Sequence, residues 1–217
     1  MACLWLGINA SFAQSNTVLI IGDSFVAGTG ASGSYGWAQR LQNNHPTMTF
    51  TISGVGGDNI RAVNNRLGNY PQQYFDVVIL EIGLNDSRDR PSKGQNEVPL
   101  DVFNNGIRSF VSAFRSANPD IRIVFVGLTR VDESKTTPYS EDKYYINANI
   151  AQYDQALQNL SAELSAQYIA VPALNDTQGM LSDGVHPSND GHQALLNAVN
   201  AQVASIFASL PPPASQN

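Results

Sequence analysis

Thr17-Val18-Leu19-Ile20-Ile21-Gly22-Asp23-Ser24-Phe25 passes from an apolar, β-branched run directly into a glycine turn. A short apolar run closed by a turn is how a strand buried on both faces reads in sequence. The pattern recurs at Phe50-Thr51-Ile52-Ser53, followed by Gly56-Gly57-Asp58, and from Phe75 to Ile82, closed by Gly83-Leu84-Asn85-Asp86. Val77-Val78-Ile79-Leu80 is the densest apolar stretch of the three. Five strands are predicted: Thr17–Ile21, Met48–Ser53, Phe75–Ile82, Ile121–Leu128 and Tyr168–Val171. Between and after them lie helix-period stretches at Trp37–Asn44, Asn59–Gly68, Leu100–Ala117, Ile146–Gln167 and Asn189–Ala208, the last with Ser188 as its N-cap. Strand–helix alternation predicts an α/β chain, a mostly parallel sheet with helices on both faces.

In an open parallel sheet, ligands bind beyond the carboxyl ends of the strands, where strand order reverses. With an order of 2-1-3-4-5, the first strand lies between the second and third. Ser24, Gly57 and Asn85 each follow one of these three neighbours, so the topology gathers them into one crevice. A fourth block, Asp183-Gly184-Val185-His186-Pro187, lies late in the chain and sets an acid three residues before a histidine.

These residue types are the ones acyl transfer needs. A free serine hydroxyl is a poor nucleophile and requires a base. Histidine is the side chain whose ordinary pKa lies nearest working pH, and a neighbouring carboxylate fixes its tautomer. Ser24, His186 and Asp183 fill those roles. The oxyanion formed on attack needs donors, which the main-chain N–H groups of Ser24 and Gly57 and the side-chain amide of Asn85 can supply. Taken singly, each residue has an ordinary explanation as a cap, turn or surface residue. Together, the four blocks fall in order at strand ends and in a late loop, which none of those ordinary explanations accounts for.

Those blocks resemble the SGNH, or GDSL, group of esterases and lipases. Matched motif by motif, the four signature residues become Ser24, Gly57, Asn85 and His186, with Asp183 as the acid partner. The resemblance runs from about residue 17 to about residue 208. Gly54, Gly56 and Gly57 compete for the second role, and Gly57 is chosen because it directly precedes Asp58. Leu84 departs from the small or polar residue that many relatives carry. The resemblance implies a three-layer αβα fold of flavodoxin-like topology and a serine esterase that needs no cofactor. The blocks Glu81 to Asp86 and Asp183 to Pro187 look most like the small bacterial arylesterase and thioesterase branch; lysophospholipases belong to the same range. A carbohydrate acetylesterase is the alternative, with Trp37, Tyr139, Tyr144 and Tyr145 as residues that could stack on sugar. A binding module that kept the fold without catalysis is the non-enzyme alternative.

Composition narrows the partners. With 12 basic against 18 acidic residues the chain carries a formal charge of -6, which argues against nucleic acid and anionic lipid surfaces. The expected partner is a small-molecule or lipid ester, without stable membrane insertion. Residues 1–13 read as a signal peptide truncated at its start: uncharged, apolar from Ala2 to Ile8, and ending Ser11-Phe12-Ala13. The expected location is therefore secreted or periplasmic. Cys3, the chain's single cysteine, lies in that segment, which leaves no disulfide framework or thiolate metal site. Residues 14–209 are expected to form one domain and 210–217, with three consecutive prolines, a flexible tail.

Competing motifs fail on context. Gly28-Thr29-Gly30-Ala31-Ser32-Gly33 matches a dinucleotide fingerprint, but it starts too far beyond Ile21 and reads as a flexible surface loop. Asp86 to Glu97 has calcium-loop length, yet Arg88 and Arg90 stand where ligands are required. Ser24 has no G-x-S-x-G elbow, and no H-E-x-x-H occurs, so no metal site is expected. His45 and His192 read as surface residues. The polar stretches Ser87–Val98 and Thr129–Lys143 follow strand ends and are the expected substrate-facing loops.

Overall fold

The computed structural model describes residues 16–70, 75–174 and 178–211. The signal-like segment and the proline-rich tail beyond Pro211 lie outside them. In chain order the elements are β1 (Thr17–Gly22), α1 (Ser24–Ala27), α2 (Trp37–Asn44), β2 (Thr49–Gly54), α3 (Ile60–Asn65), β3 (Val77–Glu81), β4 (Asp89–Arg90) and β5 (Gln95–Asn96). They continue with α4 (Leu100–Ala117), β6 (Arg122–Val126), α5 (Glu133–Thr136), α6 (Asn147–Glu163), β7 (Gln167–Ile169) and α7 (Asn189–Ala208).

Five strands form one parallel sheet in the order β2-β1-β3-β6-β7. This is the predicted 2-1-3-4-5 order, because β4 and β5 form a separate antiparallel hairpin. Successive residues of a strand point to opposite faces, and β1 divides accordingly. Val18 and Ile20 pack with Trp37 and Leu41 of α2 and Leu195 and Val199 of α7. Leu19 and Ile21 pack with Ile60 of α3, Phe103 and Phe110 of α4 and Leu157 of α6. The sheet is therefore covered on both sides, which is why Val18–Ile21 of β1 and Val77–Leu80 of β3 are apolar without a break. The fold is the three-layer αβα arrangement expected.

Helix starts follow local chemistry. The Asn59 side chain accepts from Ala62 N at 3.0 Å to cap α3, and Ser188 Oγ accepts from Gly191 N at 3.3 Å to cap α7. Such caps contribute about 1 kcal/mol each. Two predicted helices end early. The segment expected to be helical through Gly68 tightens into a 3-10 turn at Leu67–Asn69. The one expected to reach Gln167 stops at Glu163, because Ser165 turns into the left-handed region (φ 49°) and Gln167 already belongs to β7.

Candidate active site

Gly22 of β1 is in register with Gly54 of β2 and Glu81 of β3. The three chains therefore leave the sheet at one level, side by side. After β1, Asp23 Oδ1 accepts from Phe25 N at 3.0 Å and starts α1, which makes Ser24 its first residue. A first-turn N–H has no carbonyl four residues back to receive it, so that of Ser24 is available to a ligand. After β2, Asp58 N donates to Val55 O at 3.1 Å and closes a turn with Gly57 at φ 83°. A type II turn demands a positive φ at that position, and glycine meets it without strain. Arg66 braces these ends, donating from Nη2 to Gly22 O at 2.9 Å and Ser53 O at 3.1 Å, and from Nε to Asp58 Oδ2 at 2.9 Å.

After β3, Asn85 is buried and ties three segments together. Its Nδ2 donates to Asp23 Oδ2 and to Asp58 O, both at 2.9 Å, and its Oδ1 accepts from Tyr145 Oη at 2.9 Å. Both amide hydrogens are thus engaged, so donation to a ligand requires one of them to be shared.

Asp183 and His186 come from the loop ahead of α7. Asp183 Oδ1 accepts from Val185 N at 2.9 Å and His186 N at 2.7 Å, which folds the carboxylate back over its own turn. Ser182 N donates to His186 O, and Asp132 N to Gly184 O, each at 2.8 Å, fixing the loop to its surroundings. His186 Nδ1 lies 2.7 Å from Asp183 Oδ2, and His186 Nε2 lies 3.1 Å from Ser24 Oγ. With Nδ1–H donating to the carboxylate, Nε2 is left to accept the serine proton. Partial burial works to raise the Asp183 carboxyl, but the hydrogen bonds from His186 and Val185 outweigh it and hold the group at about 2.

A cavity of about 320 Å³ opens over these groups, lined by Ser24, Gly56, Gly57, Asn85, His186, Thr29, Arg88, Lys143, Tyr139 and Tyr145. Gly56 and Gly57 both reach it. Gly54 does not line it: a Cβ there would lie 2.1 Å from Ala27 N. No aliphatic core-type side chain lines the cavity.

Beneath the floor lie three buried carboxyls, Asp23, Glu81 and Asp86. Burial pushes Glu81 well above the usual carboxylate range, and the charge and hydrogen bond of Asp23 add to that. Burial likewise raises Asp23, against the hydrogen bonds it accepts. Burial thus favours the neutral form of Glu81 beside Asp23. Asp86 is pushed up to about 7, chiefly by burial, and accepts from Ile60 N at 2.9 Å.

Other expectations are corrected. His192 is fully buried rather than at the surface. Its Nδ1 accepts from Trp37 N at 3.3 Å and its Nε2 donates to Thr29 O at 3.0 Å, so it is a neutral tie between α7, α2 and the glycine loop. Burial lowers its pKa. His45 is half-buried and bonded to Asn200 Oδ1 at 2.8 Å. Trp37 is a core residue with no exposed face for sugar. The loop from Gly28 to Gly33 is at the surface but pinned: a Cβ on Gly30 would lie 2.2 Å from Pro187 O. Sequence reading gave no site role to Arg66, Arg88 or Glu81 and no hydrogen-bonding role to Tyr139 or Tyr145. Glu81 carried a signal, a lone charge in an apolar strand. Among the described residues no group of three or more His, Cys, Asp or Glu is placed to hold a metal, and no helix is long and apolar enough to cross a membrane.

No curated protein matches the chain by sequence. Among solved structures, it is similar to the acetylxylan esterase Axe2 from Geobacillus stearothermophilus, at 21% identity and a TM-score of 0.66, covering 95% of this chain and 100% of that one. It is also similar to LAE5, an alpha/beta hydrolase enzyme from the metagenome of Lake Arreo, Spain, at 20% identity and a TM-score of 0.68 over 88% and 96% of the two chains. A member of the lipolytic protein G-D-S-L family from Veillonella parvula follows at 16% identity and a TM-score of 0.61, over 90% and 100%. At such identities the likeness is one of fold. The GDSL-like Lipase/Acylhydrolase family profile, however, matches residues 20–194, which span all four blocks. The chain belongs to the GDSL-like lipase/acylhydrolase family and is an ester-hydrolysing enzyme.

Proposed function

We propose that the enzyme cleaves carboxylic esters of short acyl groups through a Ser24-His186-Asp183 triad. The observation that carries this reading is the unbroken line from Asp183 Oδ2 to His186 Nδ1 at 2.7 Å and from His186 Nε2 to Ser24 Oγ at 3.1 Å. Ser24 Oγ attacks the ester carbonyl while its proton passes to His186 Nε2, and Asp183 stabilises the resulting imidazolium. The main-chain N–H groups of Ser24 and Gly57 and the amide of Asn85 receive the oxyanion. Collapse expels the alkoxide, which takes the proton from His186. Water, deprotonated by His186, then attacks the acyl-serine; collapse expels Ser24 Oγ, which takes that proton back from His186, and the acid is released.

The preference for short acyl groups rests on the cavity. At about 320 Å³ it lies at the small end of ligand pockets, and no long aliphatic side chain extends its wall to shelter an alkyl chain from water. The same feature favours a second reading, deacetylation of carbohydrate, and the acetylxylan esterase among the structural neighbours is consistent with it. An aryl or thioester leaving group remains the first reading.

Ser24→Ala should lower kcat by on the order of 10⁴–10⁶ with the melting temperature unchanged. Retained turnover in that variant would place the nucleophile elsewhere. Rates on p-nitrophenyl esters should fall from acetate through butyrate to octanoate, and a rise along that series would sink the short-acyl reading.

A further inference from the structure

The stretch 129–145 reaches over both sides of the site. Tyr139 Oη donates to Asp183 Oδ2 at 3.0 Å, the oxygen that also receives His186 Nδ1. Tyr145 Oη donates to Asn85 Oδ1 at 2.9 Å. The two rings meet edge to face, 5.4 Å between centroids and 79° between planes, and the Tyr139 ring stands 6.4 Å from that of His186. One aromatic pair therefore contacts both the acid and the amide.

The stretch is anchored apart from the site. Tyr139 N donates to Lys143 O at 2.8 Å, Tyr145 N to Thr136 O at 3.1 Å, and Thr136 Oγ1 to Tyr145 O at 2.9 Å. Tyr144 exchanges main-chain hydrogen bonds with Asp89, at 2.8 and 3.1 Å. The hydroxyls thus project from a fixed frame, as a positioning group must.

Each hydroxyl has a distinct physical effect. Asp183 receives two main-chain donors on Oδ1, and on Oδ2 it receives His186 Nδ1 and Tyr139 Oη. Its side chain is 40% exposed, so without Tyr139 that place falls to exchanging water. A tyrosine supplies the same donor at a fixed angle. At Asn85, a hydrogen bond accepted at Oδ1 draws electron density from the amide nitrogen and makes its N–H groups stronger donors. Arg88 Nη1, 3.5 Å from that Oδ1 and 3.4 Å from Tyr145 Oη, acts in the same direction.

We propose that Tyr139 and Tyr145 are a pair of positioning residues, one holding the acid behind His186 and the other the amide of Asn85. This rests on the reading of Ser24 as nucleophile. Both hydroxyls remain donors wherever a histidine base works: burial, with the hydrogen bond and charge of Asp183, pushes Tyr139 up to about 12, and burial raises Tyr145.

The test compares Tyr139→Phe, Tyr145→Phe and Ser24→Ala in the full chain, with p-nitrophenyl acetate from about pH 5 to about pH 9. Phenylalanine keeps each ring and its packing. With exchanging water in place of the fixed hydroxyl, Asp183 is held less firmly behind His186, and Tyr139→Phe should lower kcat roughly tenfold. The less fully neutralised carboxylate attracts the imidazolium more strongly, so the acid limb of kcat/KM should move upward by roughly half a unit. Tyr145→Phe should lower kcat roughly tenfold with KM and the acid limb unmoved. A wild-type rate and acid limb in Tyr139→Phe overturns the proposal. So does a Tyr145→Phe variant with raised KM and normal kcat, which marks a substrate contact. If Tyr145→Phe does not fold, the Tyr139→Phe arm decides. Turnover by Ser24→Ala would instead overturn the underlying mechanism, so the two failures are distinguishable.

Discussion

Ser24, Gly57 and Asn85 hang from the ends of three parallel strands in fixed register, whereas Asp183 and His186 ride on a surface loop between β7 and α7. Asn85 is 3% exposed and rests on buried carboxyls; the Asp183 side chain is 40% exposed and is held by donors from its own turn and from Tyr139. The strand half is placed by the core of the fold, and the loop half by local hydrogen bonds. Loss of the buried Asn85 from the first should cost stability and activity together, and damage to the second activity alone.

The sharpest break comes in the loop half. Asp183→Asn keeps an acceptor for Val185 N and His186 N but offers an amide where His186 Nδ1–H needs a carboxylate, favouring the wrong tautomer. It should lower kcat by about 10³–10⁴ while stability stays within about 0.5 kcal/mol of wild type. Parallel kinetics and thermal melts check both parts, and a large drop in melting temperature would contradict the assignment of this half to local bonds.

Asn85→Ala should lower kcat by about 10²–10³ per folded molecule with KM little changed. Unlike Asp183→Asn, it should also destabilise the fold by about 1–3 kcal/mol, because Asp23, Asp58 O and Tyr145 Oη lose their buried partner. A fall in melting temperature thus does not distinguish an oxyanion donor from a turn residue here. Normal kcat in the folded fraction would remove Asn85 from the chemistry.

The smallest effect sharpens the comparison through pH. Burial raises Asp86 from 3.8 to about 7, so the folded state holds its proton more tightly than the unfolded chain. Its contribution to stability is full below about pH 4 and lost as pH rises through about 7. Asp183, depressed to about 2, has the opposite sign: its contribution is present above about pH 4 and lost as pH falls through about 2. Melting temperature should fall between about pH 4 and about pH 8, and Asp86→Asn should flatten that fall. An unchanged slope in the variant would show that Asp86 is not the group responsible.

The strand half was the legible one. A parallel strand covered on both faces must be apolar along its length, so Thr17–Ile21 and Val77–Leu80 announce themselves, and the residues after them inherit a place at the sheet's edge. The loop half was legible only as the Asp183 to His186 spacing. What secures it, Tyr139, belongs to an irregular segment without periodicity to read. His192 was recoverable: it precedes Leu195, Leu196, Val199 and Val203 on the inward stripe of α7, and that spacing outweighs its polarity. Trp37, four residues before Leu41 on α2, is the same lesson. Asn85's full set of hydrogen bonds was beyond sequence, because its partners, Asp23 Oδ2, Asp58 O and Tyr145 Oη, all come from segments distant along the chain.

Ser24 and His186 are separated by 162 positions along the chain. Under this mechanism, a polypeptide emerging from the ribosome displays its nucleophile long before its base exists. Esters met during synthesis thus face an ordinary alcohol, and the power to cleave them arrives only when the loop ahead of α7 closes against the end of β1.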